Sequence, residues 1–294
     1  MRKEKEKISV AIQGIRGSFH EIAATEYFRD REIEAVPCDT FSELFATLTG
    51  GKADYGIVAF ENSVAGSILP NYELLRRSGL PVTGEICLRV RQNLVALPGQ
   101  TLSDIHEIHS HPMAIQQCSQ FVSEMRQRGV KVVEAVDTAL SARIISEERQ
   151  YGSGAIASSS AAGIYSLAIL RHEIEDDSLN FTRFLIIGSS RPSEKRSERE
   201  AGTDKAMVCF SLPHKVGSLS QVLSVLAFYQ ISLTKIQSLP IVGRPWEYMF
   251  HIDLIYSDYA RYRLALDAIR PLTEGLETVG EFRHGLMPYE TGTN

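Results

Sequence analysis

The stretch from Ser189 to Asp204 sets the first limit on how this chain can fold. It reads SSRPSEKRSEREAGTD, a charged run with no large apolar side chain. Such a segment has nothing to bury and reads as a linker over 189–204. It divides a 294-residue chain into a long first part and a shorter second part. About two domains are expected at that length.

Before the linker, short apolar runs alternate with capped helical patterns. Ile8 to Ile12 reads as a strand, followed by the glycine turn Gly14-Ile15-Arg16-Gly17. Ser18-Phe19-His20-Glu21 and Thr40-Phe41-Ser42-Glu43 are capping boxes, each opening a helix. After the second box, Phe41, Leu44, Phe45 and Leu48 share one helical face, and Gly50-Gly51 ends it. Tyr55 to Phe60, Ile105 to His109, Val130 to Val136 and Ala155 to Ala157 read as further strands. Pro112 stands at a first helical turn, where proline is favoured. The alternation predicts an α/β fold with a mostly parallel sheet over 1–188. Pro81 to Leu97 is a longer extended segment, broken by Arg89-Val90-Arg91-Gln92. It is expected to cross between two lobes near 88–98, with a return near 171–182.

After the linker, Met207 to Leu212, Ile231 to Leu239, Trp246 to Tyr256 and Leu276 to Phe282 read as strands. Leu219, Val222, Leu223 and Leu226 mark one helix, and Asp258 to Ile269 a second. The order is βαββαβ, the ferredoxin-like unit, over 205–288.

Composition narrows the function classes. A formal charge of −5 gives no support for a nucleic-acid partner. No run approaches the roughly 18 apolar residues of a membrane helix. Lys3 to Lys7 alternates in sign, and no signal-peptide core follows it. Cys38, Cys87, Cys118 and Cys209 lie far apart, without a CxxC pair. A zinc site is not expected, and four free thiols suit a reducing cytoplasm. His109 and His111 are read as lying on opposite strand faces, not as a metal pair. The GxGxxG, GxxxxGK[ST] and GxSxG patterns do not occur.

Ligands of open α/β sheets bind where strands end and helices begin. Here those turns are Gln13 to Ser18, Glu61 to Ser67, Ser110-His111-Pro112, Asp137-Thr138 and Ser158-Ser159. Each is a plausible cap; together they describe a cleft of small polar donors suited to a carboxylate ligand. Glu61 is the carboxylate at a strand mouth, a candidate for catalysis or for bonding its own loop. Asn180-Phe181-Thr182-Arg183-Phe184 follows the acidic run Glu173 to Asp177 and enters an apolar strand. Thr182 offers a hydroxyl and Arg183 a fork for a carboxylate, unless both merely open the strand. In the second part, Gly217 leaves backbone N–H groups free at a helix start.

These residues resemble the prephenate dehydratase family over almost the whole chain. The matching pieces are Gln13 to Phe19, Glu61-Asn62-Ser63 with Gly66-Ser67, and His111-Pro112 with Ala114, Gln117 and Cys118. Thr182-Arg183-Phe184 matches the family's catalytic signature. Leu233 to Ile236 and Trp246-Glu247-Tyr248 match its regulatory ACT domain. The resemblance implies a two-lobed catalytic domain like type II periplasmic binding proteins, joined to an ACT domain that binds phenylalanine as a feedback inhibitor. It implies a homodimer or homotetramer, and conversion of prephenate to phenylpyruvate without cofactor. Thr182, Arg183 and Phe184 take the catalytic positions. Ser18, Glu61, Asn62, Ser63, Gly66, His111, Thr138 and Ser158 take the substrate positions. Arg183 either meets a substrate carboxylate or braces its loop. The effector positions are Val216, Gly217, Ser218, Leu219, Gln237, Ser238 and Leu239. Gln237-Ser238-Leu239-Pro240 stands where the family often has Glu-Ser-Arg-Pro. Arogenate dehydratases are similar through Asn71-Tyr72 with Leu74-Leu75. A non-catalytic amino-acid sensor is the alternative from another class.

Overall fold

The structure, a computed structural model, describes residues 7–189 and 202–285. Most of the expected linker, 190–201, and the last residues of the expected second unit, 286–288, lie outside the described residues.

The chain begins β1 (Lys7–Gln13), α1 (Phe19–Tyr27), β2 (Glu32–Cys38), α2 (Phe41–Thr49), β3 (Tyr55–Asn62), β4 (Gly66–Ser67), α3 (Leu69–Ser78) and β5 (Val82–Arg89). It then crosses to a second lobe: β6 (Asn93–Ala96), β7 (Glu107–Ser110), α4 (Pro112–Gln117), α5 (Ser119–Gln127), β8 (Lys131–Glu134), α6 (Thr138–Glu147), β9 (Ser153–Ala157), α7 (Ser159–Ile164) and β10 (Ala168–Arg171). It returns to the first lobe as β11 (Phe181–Gly188). The first lobe's strands run β5-β11-β3-β1-β2, and the second lobe's run β10-β6-β9-β7-β8.

The expectation of a mostly parallel sheet does not hold. β1 is parallel to β2 and β3, and β7 to β8 and β9. β11 is antiparallel to both β3 and β5, and β6 to both β9 and β10. The cause is the double crossing. A strand that returns from the other lobe enters its sheet from the opposite end. Thr182, near the start of β11, therefore lies at the edge where β3 finishes.

The capping boxes form with a one-residue shift. Ser18 Oγ accepts the Glu21 amide at 3.3 Å, but Glu21 Oε2 reaches back to the Gly17 amide at 2.6 Å. Thr40 and Glu43 do the same, with the carboxylate on the Asp39 amide at 2.7 Å. The amide one step before the cap is thereby held, which fixes the loop entering each helix.

The C-terminal unit contains β12 (Lys205–Ser211), α8 (Ser218–Phe228), β13 (Ser232–Pro240), β14 (Tyr248–Ile255), α9 (Tyr259–Ile269) and β15 (Glu274–Phe282). Its antiparallel order β13-β14-β12-β15 is ferredoxin-like. Val222, Leu226, Tyr262 and Leu266 of α8 and α9 cover one face, packed on Val208, Phe210, Ile252 and Leu254. The other face packs against the first lobe, where Met207, Phe282 and Leu239 join the core around Tyr72 and Leu75. At that junction β15 meets β5 through Gly280 and Val82, so one sheet runs through both units. A Cβ on Gly280 would run into the Val82 carbonyl. Among the described residues no helix is long and apolar enough to cross a membrane.

Two buried histidines make this packing sensitive to acid. His20 lies edge-on to Phe184, and burial pushes its imidazole down to about 3. His251 of β14 packs on Tyr72, and burial, aided by Arg76, pushes it down to about 4. Below the ordinary histidine value the unfolded chain binds protons that the folded chain refuses. Stability is thus present above that value and lost as pH falls, by at most about 2.7 kcal/mol per pH unit for two such groups. Urea unfolding at pH 7.5 and 5.5 should show the loss, and His251→Phe should roughly halve it. Equal stability at both pH values would contradict the neutral, buried state.

Candidate active site between the lobes

Loops from both lobes meet at the edge where β1 and β3 end. Ser158 Oγ caps α7 by accepting the Ala161 amide at 3.0 Å, and donates to the Gly17 carbonyl at 2.7 Å. Tyr165 Oη donates to the Arg16 carbonyl at 2.8 Å. Gly17 has φ +87°, and a Cβ there would sit 2.8 Å from Ala161 Cα. Glycine is required for this approach of the lobes. Asp137 caps α6 through the Leu140 amide at 2.8 Å, and its other oxygen lies over Gly14.

Thr182 sits beside this contact in a network of buried amides. Asn62 Nδ2 donates to Thr182 Oγ1 at 3.0 Å, to Asn180 Oδ1 at 2.7 Å and to the Phe181 carbonyl at 3.1 Å. Asn62 Oδ1 accepts the Val64 and Ala65 amides at 3.0 and 2.8 Å, which shapes the turn after β3. Gln117 of the second lobe donates to Asn62 at 3.4 Å and accepts from Asn180 at 3.0 Å. Ser63 Oγ closes the neighbouring loop, donating to the Leu179 carbonyl at 2.7 Å and accepting the Phe181 amide at 2.9 Å. Thr182 Oγ1 accepts one of these bonds, and among the described residues no group accepts its own proton.

The expected site residues divide into two groups. Ser18, Asn62, Ser63, Thr138, Ser158 and Thr182 all lie where strands and helices end or begin at this edge, with exposed Gly66 at the start of β4. His111 belongs there too, but as the cap of α4, with Nδ1 accepting the Met113 amide at 3.2 Å. The opposite-face reading of His109 and His111 needs correction, since residues two apart on a strand share a face. They part because β7 ends at Ser110. Among the described residues no cluster of three or more His, Cys, Asp or Glu could hold a metal ion.

Arg183 and Glu61 face the other way. On paired strands Arg183 stands opposite Glu61 and Thr182 opposite Asn62. Side chains alternate along a strand, so both charges point at the C-terminal unit. Arg183 Nε donates to Glu85 Oε2 at 2.8 Å, and its NH1 pairs with Asp253 of β14. Glu61 pairs with Lys235 of β13 at 2.7 Å. Neither reaches the cleft, and of the two readings of Arg183 the geometry supports the brace. Phe184 is a core residue, 1% exposed, packed with Ile12, Ala23 and Ile57 under α1.

Alternation also splits the expected effector residues. Ser238 stands opposite Phe250, on the face of α8 and α9. Gln237 and Leu239 lie on the face toward the first lobe, where Leu239 packs. Gly217 caps α8 with φ +82°, and Ser218 Oγ donates to the Pro213 and Lys215 carbonyls at 2.9 Å each. Val216 is fully exposed and Leu219 half-buried.

The sequence assigns no separate role to Asn180 or Gln117, and Asp137 enters there only as part of the Asp137-Thr138 turn. Glu85, Lys205 and Asp253 were also passed over. A charged residue inside an apolar strand, as in Tyr248–Ile255, was the available signal, since such groups are seldom buried without partners.

The chain is thus two α/β lobes that meet beside a buried threonine, joined to a ferredoxin-like unit. The chain belongs to the prephenate dehydratase family, whose family model matches residues 10–192. A bifunctional chorismate mutase/prephenate dehydratase of Aquifex aeolicus is 31% identical over 96% of this chain and 75% of its own length. Arogenate dehydratase/prephenate dehydratase 1 of Arabidopsis thaliana is 37% identical over 84% of this chain and 64% of its own length. Among solved structures, prephenate dehydratase of Arthrobacter aurescens with L-Phe superposes with a TM-score of 0.79 at 27% identity, covering 94% of this chain and 90% of that one. A protein described as GqqA, a quorum quenching acylase, gives 0.82 at 29% identity, covering 96% and 99%.

The amide network has a measurable weight. Asn180→Ala should cost about 1–3 kcal/mol of stability, because the buried Gln117 Oε1 loses its donor and Asn62 Nδ2 one of its three acceptors. Urea denaturation that matches the parent would contradict the network.

Proposed function

We propose that this chain converts prephenate to phenylpyruvate, with Thr182 as the group that assists departure of the ring hydroxyl. The observation that carries the reading is the Thr182 hydroxyl. Its oxygen accepts one bond, from Asn62, and no described group takes its proton, which supports donation to an oxygen of the substrate. As the ring carboxylate leaves as CO2, its bonding pair moves into the ring and expels the hydroxyl from the far carbon. With one proton taken up, the products are phenylpyruvate, CO2 and water. Aromatisation makes the step downhill, so the protein need only steady the leaving oxygen and hold the dianion. A donor already aimed at that oxygen does the first. The first-turn amides of α1, behind Ser18, offer donors and a partial positive end for a carboxylate. Arg183 has no part in substrate contact.

The same reading makes the C-terminal unit a phenylalanine sensor, with Val216 to Leu219 and Ser238 at its ligand loop. Its fold and the L-Phe carried by the Arthrobacter aurescens relative support this. β13 is the outermost strand of the sheet, and Val242 and Trp246, in the loop that follows it, are exposed. An apolar strand edge of this kind supports assembly as a homodimer or homotetramer.

Arogenate is the second substrate reading, and Asp137 favours it. Burial raises the Asp137 carboxyl, while the Leu140 and Ala139 amides partly restore its charge. A carboxylate in that position matches the ammonium that arogenate carries where prephenate has a keto group.

Purified protein should release phenylpyruvate from prephenate. Thr182→Ala should lower kcat by about 10²–10⁴-fold while KM changes little; near-normal turnover would end the assignment. Asp137→Asn keeps a capping side chain. A selective loss of arogenate turnover in that variant is the result expected if arogenate is the substrate, and an equal effect on both substrates would remove that reading.

A further inference from the structure

Six charged side chains join the two units directly beneath the threonine. Arg183, Glu85 and Glu61 come from the first lobe, and Lys205, Lys235 and Asp253 from the C-terminal unit. Glu85 is held by Arg183 at 2.7 Å, by Lys205 Nζ at 2.8 and 2.9 Å, and by the Gly285 amide at 3.1 Å. Arg183 NH1 pairs with Asp253 and lies 3.9 Å from Glu61. Lys235 holds Glu61 at 2.7 Å and Ser67 Oγ at 2.9 Å. Three cations face three carboxylates, so the set is neutral. Arg183, Glu85, Lys205 and Asp253 are each at most 6% exposed.

The register gives this cluster a second meaning. Thr182 and Arg183 are adjacent on β11, and Asn62 and Glu61 adjacent on β3. The two residues that make the Asn62–Thr182 hydrogen bond therefore each have a chain neighbour anchored by an ion pair to the C-terminal unit. We propose that Asp253 and Lys235 of the C-terminal unit are positioning residues for catalysis: through Arg183 and Glu61 they hold β11 and β3 in the register that aims the Thr182 hydroxyl. Neither touches substrate. A shift of the C-terminal unit relative to the first lobe reaches Asn62 and Thr182 through two strands without any loop moving.

This rests on the assignment of Thr182 as the reacting group, so its test has one arm that needs no turnover. In the full chain, Asp253→Asn should raise hydrogen–deuterium exchange at the Val64 and Ala65 amides, which Asn62 Oδ1 holds. Unchanged exchange there would overturn the proposal whether or not the protein acts on prephenate. In turnover, Asp253→Asn should lower kcat by about 100-fold, the size of effect a misplaced group produces, with KM within about twofold. Combined with Thr182→Ala it should add nothing further, since both changes remove the same contribution. The milder Lys235→Met, at the edge of the cluster, should lower kcat in the same way. Glu61→Lys combined with Lys235→Glu should recover part of what each single change loses. Variants that melt earlier yet keep the parent kcat would reduce the cluster to a domain clamp and overturn the proposal. So would an equal loss from Asp253→Asn with and without Thr182. A parent protein inactive on both prephenate and arogenate would instead refute the reading of Thr182, and the exchange result would still decide the coupling.

Discussion

The Arg183 guanidinium is out of water at the junction of the two units, and its surroundings are arranged to keep it charged. Burial acts to lower its pKa, yet Asp253 and Glu85 hold it above the ordinary arginine value. Burial likewise pushes the Glu85 carboxyl up, and Arg183 and Lys205 more than reverse this. Desolvating such ions costs several kcal/mol each, and removing one partner of a buried pair typically costs about 3–5 kcal/mol. The cluster is therefore weak evidence for extra stability but strong evidence for a fixed arrangement. The C-terminal unit cannot leave the first lobe without exposing both halves of it. Sheet continuity at Gly280 and the packing of Met207, Leu239 and Phe282 work in the same direction.

On the other side of the same strands the chemistry is neutral and fine-grained. Asn62, Asn180 and Gln117 satisfy one another and leave the Thr182 proton unshared. Gln117 comes from the second lobe, as do Ser158 and Tyr165, which grip the Gly14 to Gly17 loop. The two lobes are thus held together by contacts on either side of the threonine. One strand pair carries a charged face toward the C-terminal unit and an amide face toward the second lobe.

The local parts of this arrangement could be read from the chain. Caps such as Ser18, Thr40 and Ser158 depend on neighbours within a turn, so spacing alone located them. The βαββαβ order and the crossing at Arg89 to Gln92 followed from periodicity and a polar break. The direction of β11 was not legible, because it depends on where the chain returns after a whole lobe. The same limit hid the parting of Thr182 and Arg183. Adjacent residues look like one site in a sequence, and only knowledge that both lie in a strand buried on two faces separates them. The pairs Glu85–Lys205 and Arg183–Asp253 join residues far apart in sequence, so no motif could announce them.

The most direct measurement is a crystal structure of the protein with an unreactive analogue of prephenate that keeps the ring hydroxyl and both carboxylates. The account predicts Thr182 Oγ1 within about 2.6–3.2 Å of that hydroxyl, with Arg183 still paired to Asp253. An analogue carboxylate bound by Arg183, or a ring hydroxyl turned away from Thr182, would contradict it.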